Sequence, residues 1–197
     1  MRVIAGQWRG RTLFSPKGAV RPTQDRVRQI LFDILGAQIV GGDVLDLYAG
    51  SGALGIEALS RGAGQVVLVE SEARARKVLE RNLEAVGAGE RARVLGRPVL
   101  SALPDLLRSG ARFRWILADP PYGSAEVERL LSWVGGVGGE ILDGRGGLVL
   151  ESGRPDAVPE RSGGLLLHRE RIIGDTVLRF FRPGESAGEA RSGGARR

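Results

Sequence analysis

Short apolar segments alternate with longer amphipathic segments along most of the chain, and this alternation restricts the possible folds more than any other feature of the sequence. It predicts strands at residues 44–48, 65–70, 92–95, 113–118, 147–151, 165–170 and 176–181. It predicts helices at residues 23–36, 53–60, 71–86 and 99–108, and one more after residue 124, with Thr23, Ser71 and Ser124 as N-caps. Buried strands that alternate with helices form a parallel sheet with helices on both faces. We therefore predict an α/β fold with a mostly parallel seven-stranded sheet and a C-terminal antiparallel hairpin.

The two ends of the chain differ from this alternating region. Residues 3–5 and 11–13, separated by Gly6 and Gly10, predict a short hairpin or extended arm. The last stretch is rich in Gly, Ser, Ala, Arg and Glu without periodicity, which is typical of a disordered tail. We therefore divide the chain into an N-terminal basic arm (1–22), one α/β domain (23–182) and a tail (183–197).

The composition excludes several kinds of site. The chain has no cysteine and one histidine, His168, which argues against a disulfide scaffold, a thiolate or His-rich metal centre and a His-based triad. We expect no bound metal, and we place His168 on the surface of the terminal hairpin. No segment approaches the roughly 18 apolar residues of a membrane-spanning helix, and the N-terminus lacks a signal-peptide pattern. We expect a cytoplasmic protein without a membrane partner.

The positive charge of the chain is concentrated at its start. The net charge is +6, and residues 1–28 alone hold seven basic residues and one acid. Trp8 and Phe14 lie among them, and basic residues interleaved with aromatic ones suit a nucleic acid, because they pair with phosphates and stack on bases. A solvated pair of strands explains the same pattern equally well. The candidate RNA-binding residues are Arg2, Arg9, Arg11 and Lys17.

A glycine-rich turn follows the first predicted strand of the sheet. Gly50, Gly52 and Gly55 match the dinucleotide fingerprint, and Glu70 lies 20 residues beyond Gly50. A nicotinamide or flavin enzyme and a ligand-free turn are therefore both open interpretations. Asp46 favours a third, because an acid there repels a pyrophosphate but suits an amino group and a sulfonium cation. S-adenosylmethionine has both groups, and its ribose needs an acid such as Glu70.

The sequence Asp119-Pro120-Pro121-Tyr122 follows the fourth predicted strand. Two consecutive prolines stop a strand, but they also remove two backbone donors and leave a rigid turn with free carbonyls. The Asp119 carboxylate and the Pro120 carbonyl can each accept a hydrogen from an exocyclic amino group, and Tyr122 offers a ring for base stacking. This arrangement is suited to methyl transfer onto an amine, which alignment and the cofactor's electrophile can accomplish without a metal.

Five segments together resemble one family. RVIAGQWRGRTL (2–13), RPTQDRVRQILFDIL (21–35), DLYAGSGALGIEALSRGA (46–63), ADPPY (118–122) and LHRERIIGDTVLRFF (167–181) are similar to the bacterial 16S rRNA guanine-N2 methyltransferase family, RsmD, which is one of the Rossmann-like class I methyltransferases. The resemblance covers roughly residues 2 to 182. It implies S-adenosylmethionine as the cofactor and a guanine in 16S rRNA, within a small-subunit particle, as the substrate. We expect a monomer.

The resemblance also implies residue roles. Asp46, Gly50 and Gly52 would line the methionine end of the cofactor and Glu70 would hold its ribose, while Arg21 and Thr23 of the RPT element would lie against the cofactor. Asp119, Pro120, Pro121 and Tyr122 would hold the guanine. No residue is assigned to the adenine, where the chain reads Gly96-Arg97-Pro98, and none of these roles is given to Glu151. The alternatives are another RNA or DNA amino-methyltransferase, such as an adenine-N6 enzyme, and an RNA-binding assembly factor that has lost catalysis.

Overall fold

The computed structural model describes residues 1–15, 22–121 and 125–184, with the side chains of residues 22, 23 and 137 left out. In this part of the chain there are five α-helices: α1 (Pro22–Leu35), α2 (Ala53–Ser60), α3 (Ala73–Val86), α4 (Val99–Arg108) and α5 (Ala125–Gly135). The strands are β1 (Val44–Leu47), β2 (Val66–Val69), β3 (Ala92–Leu95), β4 (Phe113–Ala118), β5 (Leu142–Gly153), β6 (Arg161–Ser162), β7 (Leu165–Ile173) and β8 (Thr176–Pro183). Ser124 and the predicted tail from residue 185 onwards lie outside the described residues. No helix in the described ranges is both long enough and apolar enough to cross a membrane.

The strands form one sheet in the order β3-β2-β1-β4-β5-β8-β7-β6. β1 to β5 are parallel, and β8 and β7 add the antiparallel hairpin, so the predicted α/β fold is confirmed. The described sheet has eight strands rather than seven, because a two-residue edge strand, β6, pairs with β7. Two residues are too short to show a period in the sequence. β5 begins at Leu142, five residues before its predicted start, where glycines interrupt the apolar pattern.

Two helix starts differ from prediction. Glu72, not Ser71, caps α3, since its carboxylate accepts from the backbone N–H groups of Arg74 (2.9 Å) and Ala75 (2.6 Å). α1 begins at Pro22, so Thr23 lies within its first turn and is not the N-cap. Proline suits a first helical position, because its fixed φ fits the helix and the backbone N–H it lacks would have no partner there.

The sheet buries a hydrophobic cluster on each face, as the predicted two-sided packing requires. The cluster on one face includes Val27, Leu31 and Leu35 of α1, as expected of an amphipathic helix that packs on the sheet. The other cluster joins Leu103 of α4 and Leu130 of α5 to the opposite side of the same strands. The chain order reverses at β1, which lies between β2 and β4. Ligands bind at such a point, beyond the carboxyl ends of the strands.

Residues 1–15 form a short hairpin that is part of the core. Arg2 and Thr12 make an antiparallel bridge, and Val3, Trp8 and Leu13 are buried in the cluster that contains α1. The expectation that Trp8 offers an open ring to a base is therefore wrong, because only 6% of Trp8 is exposed. Burial of three apolar side chains within 15 residues stabilises the packing of this basic segment on the domain.

Buried polar groups of α2 hold the hairpin in place. Glu57, fully buried, accepts from the backbone N–H groups of Ile4 (2.8 Å) and Ala5 (3.0 Å). The Ser60 hydroxyl accepts from the Trp8 N–H at 3.0 Å and donates to the Ala5 carbonyl at 2.6 Å. Gly6 lies against the Ser60 carbonyl so closely that an added Cβ would be 1.8 Å from the oxygen. The hairpin therefore sits at a fixed position on α2.

Candidate active site

The turn between β1 and α2 places backbone N–H groups at the carboxyl edge of the sheet. Gly50 and Gly52 have φ values of 55° and 81°, in the left-handed region that glycine adopts without strain. Tyr48 has a φ of 61°, and it is the one residue other than glycine with positive φ in the described ranges. A bulky residue in this conformation costs about 1–3 kcal/mol, and such strain concentrates at functional sites. Gly52 is the N-cap residue of α2.

Asp46 lies below this turn with no exposed surface. Its Oδ2 accepts from the Gly55 N–H at 2.8 Å, whereas its Oδ1 is buried without a hydrogen-bond partner. Burial raises the pKa of Asp46 to about 7; the Gly55 N–H opposes the shift, and the charges of Asp119 and Glu70 add to it. A buried acceptor without a partner is costly in the free protein, and it is satisfied by a ligand that donates a hydrogen bond.

Glu70 follows β2 and binds two loops through the same carboxylate. Its Oε2 accepts from the Gly50 N–H at 2.8 Å, and its Oε1 accepts from the Glu72 N–H at 2.7 Å. Each carboxylate oxygen has a second lone pair, so both remain available to ribose hydroxyls. The two backbone contacts fix the orientation of Glu70 before any ligand binds.

Asp119 follows β4, directly beside the end of β1. Leu47 is paired with Ala118, and the Asp119 N–H reaches the Leu47 carbonyl at 3.4 Å. Burial raises the pKa of Asp119 to about 6. Pro120 is buried and Pro121 is exposed at the rim. Asp46 and Asp119 thus come from neighbouring parallel strands and face the same space.

Two adjoining cavities occupy this edge of the sheet. The larger, of about 660 Å³, is lined by Gln24, Val27, Tyr48, Val69, Glu70, Ser71, Pro98, Val99, Asp119, Pro120, Pro121, Glu126, Glu151, Asp175 and Thr176. The smaller, of about 140 Å³, lies under the glycine turn and is lined by Met1, Gln24, Arg28, Asp46, Tyr48, Ala49, Gly50, Ser51, Ala53, Leu54, Asp119 and Glu151. Gln24, Tyr48, Asp119 and Glu151 line both.

The structure brings together most of the residues predicted for the site. Asp46, Gly50, Glu70 and Asp119 line the cavities with the two prolines, whereas Gly52 lines neither of them. Arg21 and Tyr122 lie outside the described residues, as does the side chain of Thr23, so their roles stay predictions.

Sequence reasoning missed several lining residues. Asp175 and Thr176 lie at the β7–β8 turn, which meets the end of β5 through the pairing of Gly153 with Thr176. The hairpin itself was predicted from the sequence, but its turn can be placed at the cavity only when the order of the strands in the sheet is known. Glu126, in the first turn of α5, lies near Tyr48, and burial and the Glu126 charge both raise the pKa of the Tyr48 hydroxyl. Nothing in the local sequence signals this pair.

The charge of the larger cavity distinguishes between the two kinds of nucleotide cofactor. Five carboxylates line it, and no lysine or arginine among the described residues does so; these acids are Glu70, Asp119, Glu126, Glu151 and Asp175. A dinucleotide carries a diphosphate, which these acids repel, whereas a sulfonium and an ammonium group are attracted. In the adjoining smaller cavity the partnerless Oδ1 of Asp46 provides an acceptor for such a cationic group, and the single arginine among its described lining residues, Arg28, is paired with Asp25 and Glu57. The two cavities together therefore fit S-adenosylmethionine and disfavour a dinucleotide.

The arginines of the hairpin are divided between two places. Arg11 donates to the carbonyls of Ala85 (3.1 Å) and Val86 (3.2 Å) at the end of α3. Arg2 and Arg9 instead line a third cavity, of about 540 Å³, together with Arg26. Lys17 lies outside the described residues. The predicted role of all four in RNA binding stays a prediction.

Known proteins resemble this chain over nearly its full length. The sequence matches the family described as conserved hypothetical protein 95 over residues 1–182. The ribosomal RNA small subunit methyltransferase D of Escherichia coli strain K12 is 36% identical over 194 residues, which cover 96% of this chain and 93% of the relative. The solved structure of yhhF from Escherichia coli is 35% identical, has a TM-score of 0.81 and covers 94% of this chain and 99% of its own.

A more distant structure shares the fold. SMU.776, solved in complex with SAH, is 16% identical and has a TM-score of 0.65 over 82% of this chain and 50% of its own. The family match extends over the hairpin, the glycine turn and the Asp-Pro-Pro-Tyr segment alike. The chain therefore belongs to the RsmD family and has the fold of class I methyltransferases.

Proposed function

We propose that this protein transfers a methyl group from S-adenosylmethionine to the exocyclic N2 amino group of a guanine in 16S rRNA. The observation that carries the proposal is the position of Asp119, which is half-buried, lines the same small cavity as Asp46 and is followed by two prolines that line the acidic cavity. The name of the 36% identical relative, a small-subunit rRNA methyltransferase, supports the substrate class.

We assign one set of described residues to the methionine part of the cofactor and another set to its adenosine part. Asp46 and the turn at Gly50 would hold its methionine part, with the free Asp46 Oδ1 accepting from the ammonium group. Glu70 would accept from the ribose hydroxyls, and Pro98 and Val99 would line the adenine side of the larger cavity. SMU.776, which has the same fold, was solved with SAH, the demethylated product of this cofactor.

Asp119 and the Pro120 carbonyl orient the acceptor nitrogen. When each accepts one N–H of the amino group, the nitrogen lone pair is aimed at the cofactor's methyl group, which is electrophilic because the attached sulfur is positively charged. The new C–N bond forms as the C–S bond breaks, and the methylated nitrogen then releases a proton. Because burial holds the pKa of Asp119 near 6, this carboxylate can receive that proton and pass it to water.

The setting of the reaction follows from the substrate. A base in a loop is turned out of its stack at a lower energetic cost than a base in a duplex. We propose that the substrate is 16S rRNA within a small-subunit particle, that the enzyme acts as a monomer, and that it works in the bacterial cytoplasm, where such particles assemble.

The test uses labelled S-adenosylmethionine and small-subunit particles from cells that lack this protein. After incubation, the RNA is digested and the labelled nucleoside is identified by mass, with Asp119→Ala as the inactive control. Label in N2-methylguanosine supports the cofactor, the atom and the substrate together. Label in N6-methyladenosine would replace guanine by adenine as the target. The absence of label despite tight SAH binding would refute catalysis on this RNA and favour an RNA-binding assembly factor.

A further inference from the structure

A concave basic surface lies between the N-terminal hairpin and α1. We call this cavity, which Arg2 and Arg9 line, the basic notch; its described lining residues are Arg2, Val3, Ile4, Arg9, Gly10, Asp25, Arg26 and Gln29. Three arginines and a glutamine surround about 540 Å³ of space, and the single acid among them, Asp25, already pairs with Arg28 at 3.0 Å. Arginines that line a concave surface suit a phosphate, because a guanidinium can bind it through two parallel hydrogen bonds.

The arginines of the basic notch stand on a rigid backbone. The Arg2 carbonyl accepts from the Arg28 guanidinium at 2.7 Å, and the Val3 N–H donates to the Arg11 carbonyl at 3.0 Å. The Arg9 N–H donates to the Gly6 carbonyl at 3.2 Å, within the segment that Glu57 and Ser60 hold on α2. A phosphate that binds here therefore does not have to order the hairpin backbone, which reduces the entropic cost of binding.

The basic notch and the larger cavity lie on different sides of one helix, α1. Gln24 and Val27 of α1 line the larger cavity, whereas Arg26 and Gln29 of the same two turns line the basic notch. The two sites are therefore separated by about one helix diameter, which is roughly 10–12 Å. This separation allows one RNA strand to place a base in the cavity and a nearby backbone phosphate in the notch.

We propose that Arg2, Arg9 and Arg26, with Gln29, bind a backbone phosphate of the RNA that carries the target base, close to that base in the strand. This inference rests on the proposed function for the identity of the RNA, but the site itself requires only a polyanion. The inference gives an RNA-binding role to Arg26 and Gln29, which were not predicted from the sequence. It gives no such role to Arg11, whose guanidinium binds the carbonyls at the end of α3.

The experiment compares Arg9→Gln and Arg26→Gln with Arg93→Gln. Arg93 is exposed on β3, at the opposite edge of the sheet from β6, and its replacement removes the same charge. Three quantities are measured for each protein: the Kd for SAH, kcat/KM on the small-subunit particles described above, and the salt dependence of binding to purified 16S rRNA. The thermal melting temperature verifies that each variant is folded.

We expect each notch variant to lower kcat/KM about tenfold, the effect of losing one charge-assisted hydrogen bond, while the SAH Kd stays within twofold. The plot of log binding constant against log salt concentration should become less steep by roughly one, because one phosphate contact is lost. Arg93→Gln should change none of these values. If the notch variants behave like Arg93→Gln in both RNA assays, the inference is wrong. If the wild type methylates no particle, the proposed function fails, and the salt slope on purified rRNA still decides whether the notch binds phosphate.

Discussion

Asp46→Asn should make the free protein more stable at alkaline pH while weakening its hold on the cofactor. The pKa of Asp46 is about 7 in the folded chain and 3.8 in an ordinary setting, so folding disfavours the ionised form. Each pKa unit corresponds to about 1.4 kcal/mol, and the wild type therefore loses roughly 4 kcal/mol of unfolding free energy as pH rises from about 4 to about 7. Asparagine does not titrate and escapes this loss.

The substitution also has a cost. The asparagine oxygen can keep the bond from the Gly55 N–H, but its NH₂ group then occupies the position of the partnerless Oδ1. A buried donor without an acceptor costs about 1–3 kcal/mol. At pH 8 the variant should thus be about 1–3 kcal/mol more stable than the wild type. The stability difference between the two should grow by roughly 3 kcal/mol between pH 5 and pH 8.

Urea unfolding at pH 5, 6, 7 and 8, followed by tryptophan fluorescence, measures this difference, because Trp8 and Trp115 are buried. Asp33→Asn is the control, since it removes the same charge from a side chain that is 58% exposed. A pH profile for Asp46→Asn that runs parallel to that of the wild type would refute the buried-carboxylate reasoning. Calorimetry at pH 8 should show weaker SAH binding by the same variant.

Three further predictions concern the acceptor site and the hairpin. Asp119→Ala should remove most methyl transfer and leave the SAH Kd within a few-fold; surviving turnover in the labelling assay would disprove the role of Asp119. Tyr122→Ala should reduce kcat more than Tyr122→Phe, because base stacking needs the ring and not the hydroxyl. Gly6→Ala should destabilise the protein by at least about 2 kcal/mol in urea, since its Cβ would lie 1.8 Å from the Ser60 carbonyl oxygen. Gly10→Ala, with nearly the same φ but nothing within 4 Å, should lose clearly less, and equal losses would show that backbone strain alone decides.

The glycine turn, Asp46, Glu70 and Asp119 were predictable because the alternation of strands and helices fixes which strand ends meet. Parallel strands place their carboxyl ends at one edge, so a residue directly after a strand is located once the fold class is known. Asp175 and Glu126 depend instead on the position of a hairpin and on the direction in which a helix leaves a loop. The hairpin position and the helix direction are set by long-range packing, which the periodicity of a segment does not encode.

The packing of the N-terminal hairpin was not predicted from the sequence, although the sequence contains a signal for it. The sequence predicted a short basic hairpin or extended arm, and the structure shows a hairpin whose backbone is bound by Glu57 and Ser60 of α2 and whose three apolar residues are buried. A signal for this packing was present, because Glu57 is the one charged residue of α2 and a buried carboxylate needs donors. Deleting residues 1–20 therefore removes core as well as charge, and point substitutions are the sharper test of RNA contacts.

The acidic lining of the larger cavity has a consequence for the shape of any nucleic acid that enters it. Five carboxylates repel every phosphate that approaches, so a base can be inserted only if its own backbone remains outside the rim. A duplex holds phosphates on both sides of each base pair, whereas an everted nucleotide points its base away from its phosphates. On the proposed function, the cavity thus acts as a filter that admits an extruded base and rejects a stacked one before any hydrogen bond to Asp119 is made.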